Sequence, residues 1–326
     1  MKTHLVTGGA GFIGSHLCDK LLADGHAVIA IDDFSLGTYE NLIEAIEHEH
    51  FKFLEGDVAN SSFWHQLAKD CPTNSIDVIW HMAANSDISA GVKDSTVDLH
   101  RTFLTTFHTL EAAKALGVKH FALASTSAVY GDLQSVLSED SAPLNPISNY
   151  GAMKLASEAA ATAKTSTDLD KLWIFRFPNV VGPRSTHGVI HDFVRKLNST
   201  PRRLEVLGDG TQCKPYLHVI ELLDAMMHTV RNSNEKINRF LIGPLGDKGT
   251  TVRYIADLVI RLYGTNAEIV YGNGNRGWVG DVPTFTYSTD KIYSLGWKPK
   301  LTSNQTIDKA VGEIVAELKS PVVALR

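Results

Sequence analysis

An α/β fold built on a doubly wound parallel sheet is predicted by three features of this 326-residue chain. A short β-like run, Thr3-His4-Leu5-Val6, leads into the glycine-rich turn Thr7-Gly8-Gly9-Ala10-Gly11-Phe12-Ile13-Gly14. That turn opens a helical pattern with apolar residues at Phe12, Ile13, Leu17, Leu21 and Leu22. A second apolar run, Ala27-Val28-Ile29-Ala30-Ile31, reads as a strand buried on both faces and ends in Asp32-Asp33. Strand and helix patterns then alternate as far as Phe177, which implies parallel pairing through helical crossovers, with helices on both sheet faces.

The glycine turn fits two spacings, Gly9-x-Gly11-x-x-Gly14 and Gly8-x-x-Gly11-x-x-Gly14. Glycines here permit a tight turn, let backbone approach a pyrophosphate, and let the helix pack closely on the strand. The phosphates then meet the unpaired N–H groups and positive dipole end of the helix. An acid at the end of the second strand accepts both ribose hydroxyls of an adenosine and repels a 2′-phosphate. Asp32 in that place favours NAD over NADP. Together the turn and the acid predict a Rossmann-like dinucleotide fold.

The rest of the chain follows in order. A loop and a short helix around Tyr39 to Glu47 precede a third strand, Phe51-Lys52-Phe53-Leu54, and then Glu55-Gly56-Asp57-Val58. Ser61 to Lys69 reads as a helix capped by Asn60 or Ser61. Ile76 to His81 is a fourth strand ending in the small residues Ala83-Ala84. A long helix runs from about Ser95 to Leu116, stopped by Gly117. His120 to Ala124 is a fifth strand entering Ser125-Thr126-Ser127. Tyr150 opens an alanine-rich helix to about Lys164, and Leu172 to Phe177 is a sixth strand. Beyond Pro183 the segments shorten and turn signals crowd in at Gly208-Asp209-Gly210, Gly243-Pro244 and Gly272-Asn273-Gly274, where Asp209 is a turn residue. This part reads as a smaller C-terminal α/β substrate-binding cap over the carboxyl ends of the strands. A helix at 218–231 and a strand at 237–242 have the lengths of a further unit returning to the main sheet. The expected division is therefore discontinuous. Residues 1–182 plus about 214–243 form the NAD-binding part, and residues 183–213 plus about 244–326 bind the substrate.

Composition narrows the function classes. With 44% apolar and 21% charged residues and a net charge of −5, the chain offers no basic field for nucleic acid or an anionic membrane. Its three cysteines, Cys18, Cys71 and Cys213, have no metal spacing, and no metal is expected. The alternate histidines of His48-Glu49-His50 point apart in a helix. The early glycine turn leaves no room for a signal peptide, and no apolar run reaches the roughly 18 residues of a membrane span. A cytoplasmic protein is expected.

Tyr150-Gly151-Ala152-Met153-Lys154 places a phenol and an ammonium four residues apart on one helix face. A free tyrosine titrates at about 10, so a phenolate at pH 7 needs about 4 kcal/mol of electrostatic help. A lysine one turn away, with a positive nicotinamide ring, is expected to supply it and to depress the phenol. Ser125-Thr126-Ser127, at the end of the preceding strand, offers a hydroxyl to the same substrate oxygen. His81 reads as a packed histidine, and the stretch from Arg184 to Val189 is expected to begin the cap and line the sugar pocket, with His187 a candidate contact.

These residues resemble the extended short-chain dehydrogenase/reductases of the NAD-dependent sugar-nucleotide epimerase/dehydratase family, most nearly the UDP-glucose 4-epimerase-like branch. The resemblance runs through the glycine turn, Asp32, Gly56-Asp57-Val58, His81-Met82-Ala83-Ala84, Ser125 to Gly131, Tyr150 to Lys154 and Arg176 to Arg184. It continues in Lys214 to Val219, Gly280 to Pro283 and Leu295 to Pro299. It implies that Gly8, Gly11, Phe12, Ile13, Gly14, Asp32, Asp57, Val58, Ala83, Ala84, Tyr150, Lys154 and Pro178 bind the cofactor. It implies Thr126, Tyr150 and Lys154 as the catalytic set, and Thr126, Asn179, Val189, Lys214 and Arg276 as substrate contacts. Lys214 stands where an arginine commonly grips the diphosphate, and Arg276 is displaced by a residue or two from the family's arginine. Thr102 and Thr105 replace an Asn and a Gly common in relatives.

In the resembled dehydratases the two positions after the threonine are acidic, whereas here they are Ser127 and Ala128, so the proton transfers of elimination lack their groups. Decarboxylating relatives carry Glu where Ala128 stands. The expected reaction is 4-epimerisation of a nucleotide sugar through a transient 4-keto sugar. A C4 dehydrogenase or ketoreductase is the alternative, and a non-catalytic sensor is disfavoured because Tyr150 and Lys154 are both present. The helices near 97–116 and 150–164 carry more apolar and small residues than one buried face requires, Leu99, Phe103, Leu104, Phe107 and Leu110 on one and Ala156, Ala159, Ala160 and Ala163 on the other; these fit either the core alone or, as the resemblance implies and as is favoured, a homodimer through a four-helix interface.

Overall fold

The computed structural model describes residues 1–133, 136–246, 248–275, 282 and 284–319. The first strand and helix, β1 (Thr3–Thr7) and α1 (Phe12–Ala23), flank the glycine turn. They are followed by β2 (Ala27–Asp32), a 3-10 turn at Tyr39–Leu42 with α2 (Ile43–Ile46), and β3 (Phe51–Glu55). Next come α3 (Ser61–Asp70) and β4 (Val78–His81), and the Asn60 side chain caps α3 by accepting from the Ser62 N–H. Two short helices, α4 (Ile88–Lys93) and α5 (Ser95–Asp98), precede α6 (Thr105–Ala115) and β5 (His120–Thr126). Then α7 (Asn149–Lys164) leads to β6 (Lys171–Phe177).

The long helix expected over 95–116 is interrupted. Leu99–Leu104 forms a π-helical turn between α5 and α6. The Thr102 carbonyl accepts from the hydroxyls of Thr105 (2.9 Å) and Thr106 (2.9 Å), and side chains that bond the backbone in this way compete with the regular helical ladder. Apolar periodicity cannot show such a turn, because it leaves the buried face in place.

Beyond Phe177 the chain forms β7 (Asn179–Val181), α8 (Val189–Ser199), β8 (Arg203–Val206), β9 (Cys213–Lys214) and β10 (Tyr216–His218). It continues through α9 (Val219–Asn232), β11 (Ile237–Leu241), β12 (Thr250–Thr251), α10 (Val252–Tyr263), β13 (Glu268–Tyr271), α11 (Asp290–Ser294) and α12 (Ser303–Lys319). The main sheet has seven parallel strands in the order β3-β2-β1-β4-β5-β6-β11. The unit at 218–242 therefore does return to it, as β11 beside β6. Apolar cores cover both faces of this sheet, one built around Trp80 and Trp173 and the other around Ile79, Phe121 and Ile174. A separate core joins α8, α10 and α12 to β8 and β13 through Phe193, Leu197, Val259 and Ile314. No described helix is long and apolar enough to cross a membrane.

Candidate active site

The glycine turn is shaped by what a side chain would strike. Gly8 has φ +69°, and a Cβ there would lie 2.8 Å from the Ala83 nitrogen at the end of β4. A Cβ on Gly14 would lie 1.9 Å from the Gly8 carbonyl oxygen. Gly9 is needed for another reason, since its Cβ would meet the Ala30 side chain at 2.7 Å. Of the two spacings, Gly8-x-x-Gly11-x-x-Gly14 is the one that lines the cavity. Gly11 caps α1 without a side-chain bond, and the first turn of α1 carries no acid, so its N–H groups remain available to an anion.

At the tip of β2 the Asp32 carboxylate accepts from the N–H of Ala10 (3.0 Å) and of Phe34 (2.8 Å). Burial raises its pKa, and these backbone donors act against the rise. A carboxylate has about four acceptor sites, so acceptor capacity remains for a ribose hydroxyl. Turn, helix N-terminus and acid thus fit an adenine dinucleotide.

One cavity of about 730 Å³ joins this end of the sheet to the smaller core. Its size is that of a ligand site. Every predicted site residue within the described chain stands on its wall. Phe12 and Ile13 open α1, Asp57 and Val58 follow β3, Ala83 and Ala84 follow β4, and Thr126 ends β5. Tyr150 and Lys154 face in from α7, and Pro178 and Asn179 follow β6. Val189 begins α8, and Lys214 lies on β9. Arg276 lies outside the described residues, as do Gly280 and Asp281. His187 is also on the wall. His81 is buried between the hydroxyls of Thr7 (2.8 Å) and Thr106 (3.0 Å), a packed histidine kept neutral by burial.

The strand alternation of β5 sorts the serine and threonine hydroxyls. Ser125 donates to Glu158 Oε1 at 2.5 Å, while the Thr126 hydroxyl oxygen caps the following turn by accepting from the Ala128 N–H at 3.1 Å. Tyr150 lies at the start of α7, whose N-cap Ser148 accepts from the Gly151 N–H at 3.1 Å. Lys154, 2% exposed, donates to the Ala124 carbonyl at 2.6 Å. Its ammonium lies 6.0 Å from the centre of the Tyr150 ring.

The electrostatics of the pair follow from its burial. Burial pushes the Tyr150 phenol up to about 12, partly offset by its hydrogen bond with Thr126, and Asp98 pushes it further upward. Burial also lowers Lys154 to about 8, with Glu158 acting against it. Burial is the largest influence on the phenol, and the Lys154 ammonium donates to the Ala124 carbonyl. A phenolate here needs positive charge brought into the cavity.

Several wall residues have no counterpart among the predicted ones. Arg101, on the π-helical turn, faces the cavity, as do His191, Arg195 and Lys196 of α8. Helix α8 buries Ile190, Phe193, Val194 and Leu197, which leaves His191 and Arg195 on the opposite side at i, i+4 spacing. That amphipathic pattern was readable in the sequence. For Arg101 no such signal exists, since a cation on a helix ordinarily marks a solvated face.

A model of the NAD dependent epimerase/dehydratase family matches residues 4–243. The UDP-glucose 4-epimerase of Mycolicibacterium smegmatis is 36% identical over 233 residues, 70% of this chain and 72% of that protein. A dTDP-D-glucose 4,6-dehydratase of Mus musculus is 27% identical over 321 residues, 95% of this chain and 88% of that protein. Among solved structures, a UDP-galactose 4-epimerase superposes with a TM-score of 0.84 and 32% identity, over 97% of this chain and 99% of its own.

Proposed function

The chain belongs to the NAD-dependent epimerase/dehydratase family, and on that premise we propose that it is a 4-epimerase of a nucleotide sugar of the UDP-glucose/UDP-galactose type. The observation that carries this reading is the set Thr126, Tyr150 and Lys154 on one wall, followed by Ser127 and Ala128. Elimination of water needs an acid and a base beside the threonine, and neither of these two side chains titrates near neutral pH. Epimerisation needs only one proton acceptor at the C4 oxygen.

Residues 1–182 with about 214–243 would hold NAD, the pyrophosphate at the start of α1 and the ribose on Asp32. Bound NAD supplies the reversible hydride acceptor and a positive ring. Tyr150 Oη takes the proton from the C4 hydroxyl and returns it, and Thr126 Oγ1 donates to the same oxygen. Lys154, anchored on the Ala124 carbonyl, presents its remaining N–H groups to the nicotinamide ribose. Asn179 and Lys214, with Arg195 of α8, give an otherwise acidic protein local donors for the substrate diphosphate. A lysine supplies that charge without the bidentate fork of an arginine. The working form is read as a cytoplasmic homodimer.

The test is proton NMR of the protein with UDP-galactose and no added cofactor. Growth of UDP-glucose signals is expected, with no net NADH formed. Inertness toward a panel of nucleotide sugars would overturn the reading, and net NADH formation would replace it with a C4 dehydrogenase.

A further inference from the structure

Arg101 is a cation without an anionic partner at the cofactor end of the cavity. It stands on the wall, and no carboxylate among the described residues pairs with its guanidinium. Its neighbours fix its place. His100 Nε2 lies 4.0 Å from Asp57 Oδ2, just beyond β3. The Thr102 hydroxyl accepts from the N–H of Asn85, the residue after Ala84, at 3.2 Å. Arg101 therefore lies between the ends of β3 and β4, and Thr105, four residues on, shares the wall with it.

The turn that carries Arg101 is bonded to the Ala83-Ala84 wall. Thr106 commits its one hydroxyl hydrogen to the Thr102 carbonyl (2.9 Å), so it accepts from His81 Nε2 at 3.0 Å. Neutral His81 then accepts at Nδ1 from the Thr7 hydroxyl (2.8 Å), and Thr7 accepts from the Ala83 N–H (3.3 Å). This chain of bonds holds the π-helical turn in register with the wall. Turns of this kind inside a helix are frequent at functional sites. The turn also reaches the cavity from a particular side. Leu17 and Leu21 of α1 pack in one sheet-face core, whereas Leu110 and Ala113 of α6 pack in the other, so Arg101 approaches from the face opposite α1.

A dinucleotide pyrophosphate carries two negative charges, and Asp32, Asp33 and Asp57 line the same end of the cavity. The N–H groups of α1 answer that charge from one face only. Among the other described wall cations, Lys154 is held on the Ala124 carbonyl, and Arg195, Lys196 and Lys214 come from α8 and β9. We propose that Arg101 clamps the pyrophosphate of the bound dinucleotide from the face opposite α1 and so retains the cofactor. Its planar guanidinium can engage two phosphate oxygens at once, which a single ammonium cannot. The proposal stands on the NAD dependence of the family and not on the sugar reaction.

The test is the rate at which NAD leaves the NAD-loaded protein on dilution, for the parent, Arg101→Met and Arg101→Lys. Arg101→Met is expected to speed release about ten- to a hundredfold. Arg101→Lys is expected to speed it less, since it keeps the charge and loses the fork. Release from the parent is expected to quicken steeply with salt, and release from Arg101→Met to depend on salt less. Affinity for UDP, measured by calorimetry, is expected to be the same in all three. Should Arg101→Met fail to fold, Arg101→Lys carries the test. Unchanged NAD release in the folded variants would overturn the proposal. Weakened UDP binding with unchanged NAD release would also overturn it and assign Arg101 to the substrate diphosphate. Faster release with the parent's salt dependence would overturn it as well, because lost packing and not lost charge would then be the cause. None of these readings uses turnover, so the epimerase reading stands or falls separately.

Discussion

Arg176 holds Glu158 with two parallel bonds, Nε to Oε1 at 2.9 Å and Nη2 to Oε2 at 2.6 Å, both side chains almost wholly buried. Glu158 lies one helical turn beyond Lys154 on α7, and Arg176 lies on β6. Ser125 of β5 adds a third bond to the carboxylate, and Tyr130 accepts from Arg176 Nη1 at 3.0 Å. The pair thus fixes the helix bearing the proposed base against the two strands that end at the cavity. Removing one partner strands the other charge in the interior. Arg176→Met is expected to lower stability by about 3–5 kcal/mol, read by urea unfolding.

Tyr150→Phe removes the proton acceptor and little volume. Turnover of UDP-galactose is expected to fall about 10²–10⁴-fold, while NAD content and melting temperature stay near those of the parent. Equal loss of NAD would show instead that the phenol serves binding.

Gly14→Ala places a methyl group 1.9 Å from the Gly8 carbonyl oxygen, a backbone atom with no freedom to retreat. The strain is expected to cost at least about 1–3 kcal/mol and to weaken NAD binding more than tenfold. Thermal unfolding and NAD content after purification check it. Gly25→Ala falls at a positive φ (+79°), but nothing lies within 4 Å of its Cβ, and it should leave NAD content unchanged.

Lys154 has a pKa of about 8 in the cofactor-free protein, below its ordinary value. The cation is present below that pH and is lost as pH rises through it. NAD affinity is therefore expected to decline above about pH 8, as Lys154 loses its charge and its strongest donor. For stability the sign is opposite, since the unfolded chain binds the proton more tightly, and this residue's penalty diminishes between pH 8 and the unfolded value. Calorimetric NAD titration across this range checks the first effect, and Lys154→Met should abolish the pH dependence.

The proposed dimer face can be tested on α6 and the turn before it. Leu99 and Phe107 are 45% and 41% exposed, whereas Leu110, also assigned to that face, is buried in the sheet core. Light scattering is expected to show a dimer at micromolar concentration and Phe107→Asp a monomer. A monomeric parent protein would remove the interface.

The sequence by itself determined what depends on near neighbours in the chain. The strand, glycine turn and helix around Gly8 to Gly14, the acid at the tip of β2, and the four-residue spacing of Tyr150 and Lys154 are set by local geometry. The alternation of apolar runs was enough for the parallel sheet. Only the tertiary structure decided the electrostatics. Whether Tyr150 is depressed or raised depends on what is packed around it, and Thr126, Asp98 and the Lys154 bond to Ala124 come from three different elements. The same holds for the π-helical turn, where two threonine hydroxyls bond the Thr102 carbonyl, and for the placing of Asn179, Lys214 and Arg195 on one wall. Desolvation and long-range contact have no period along a chain, so they are read in space.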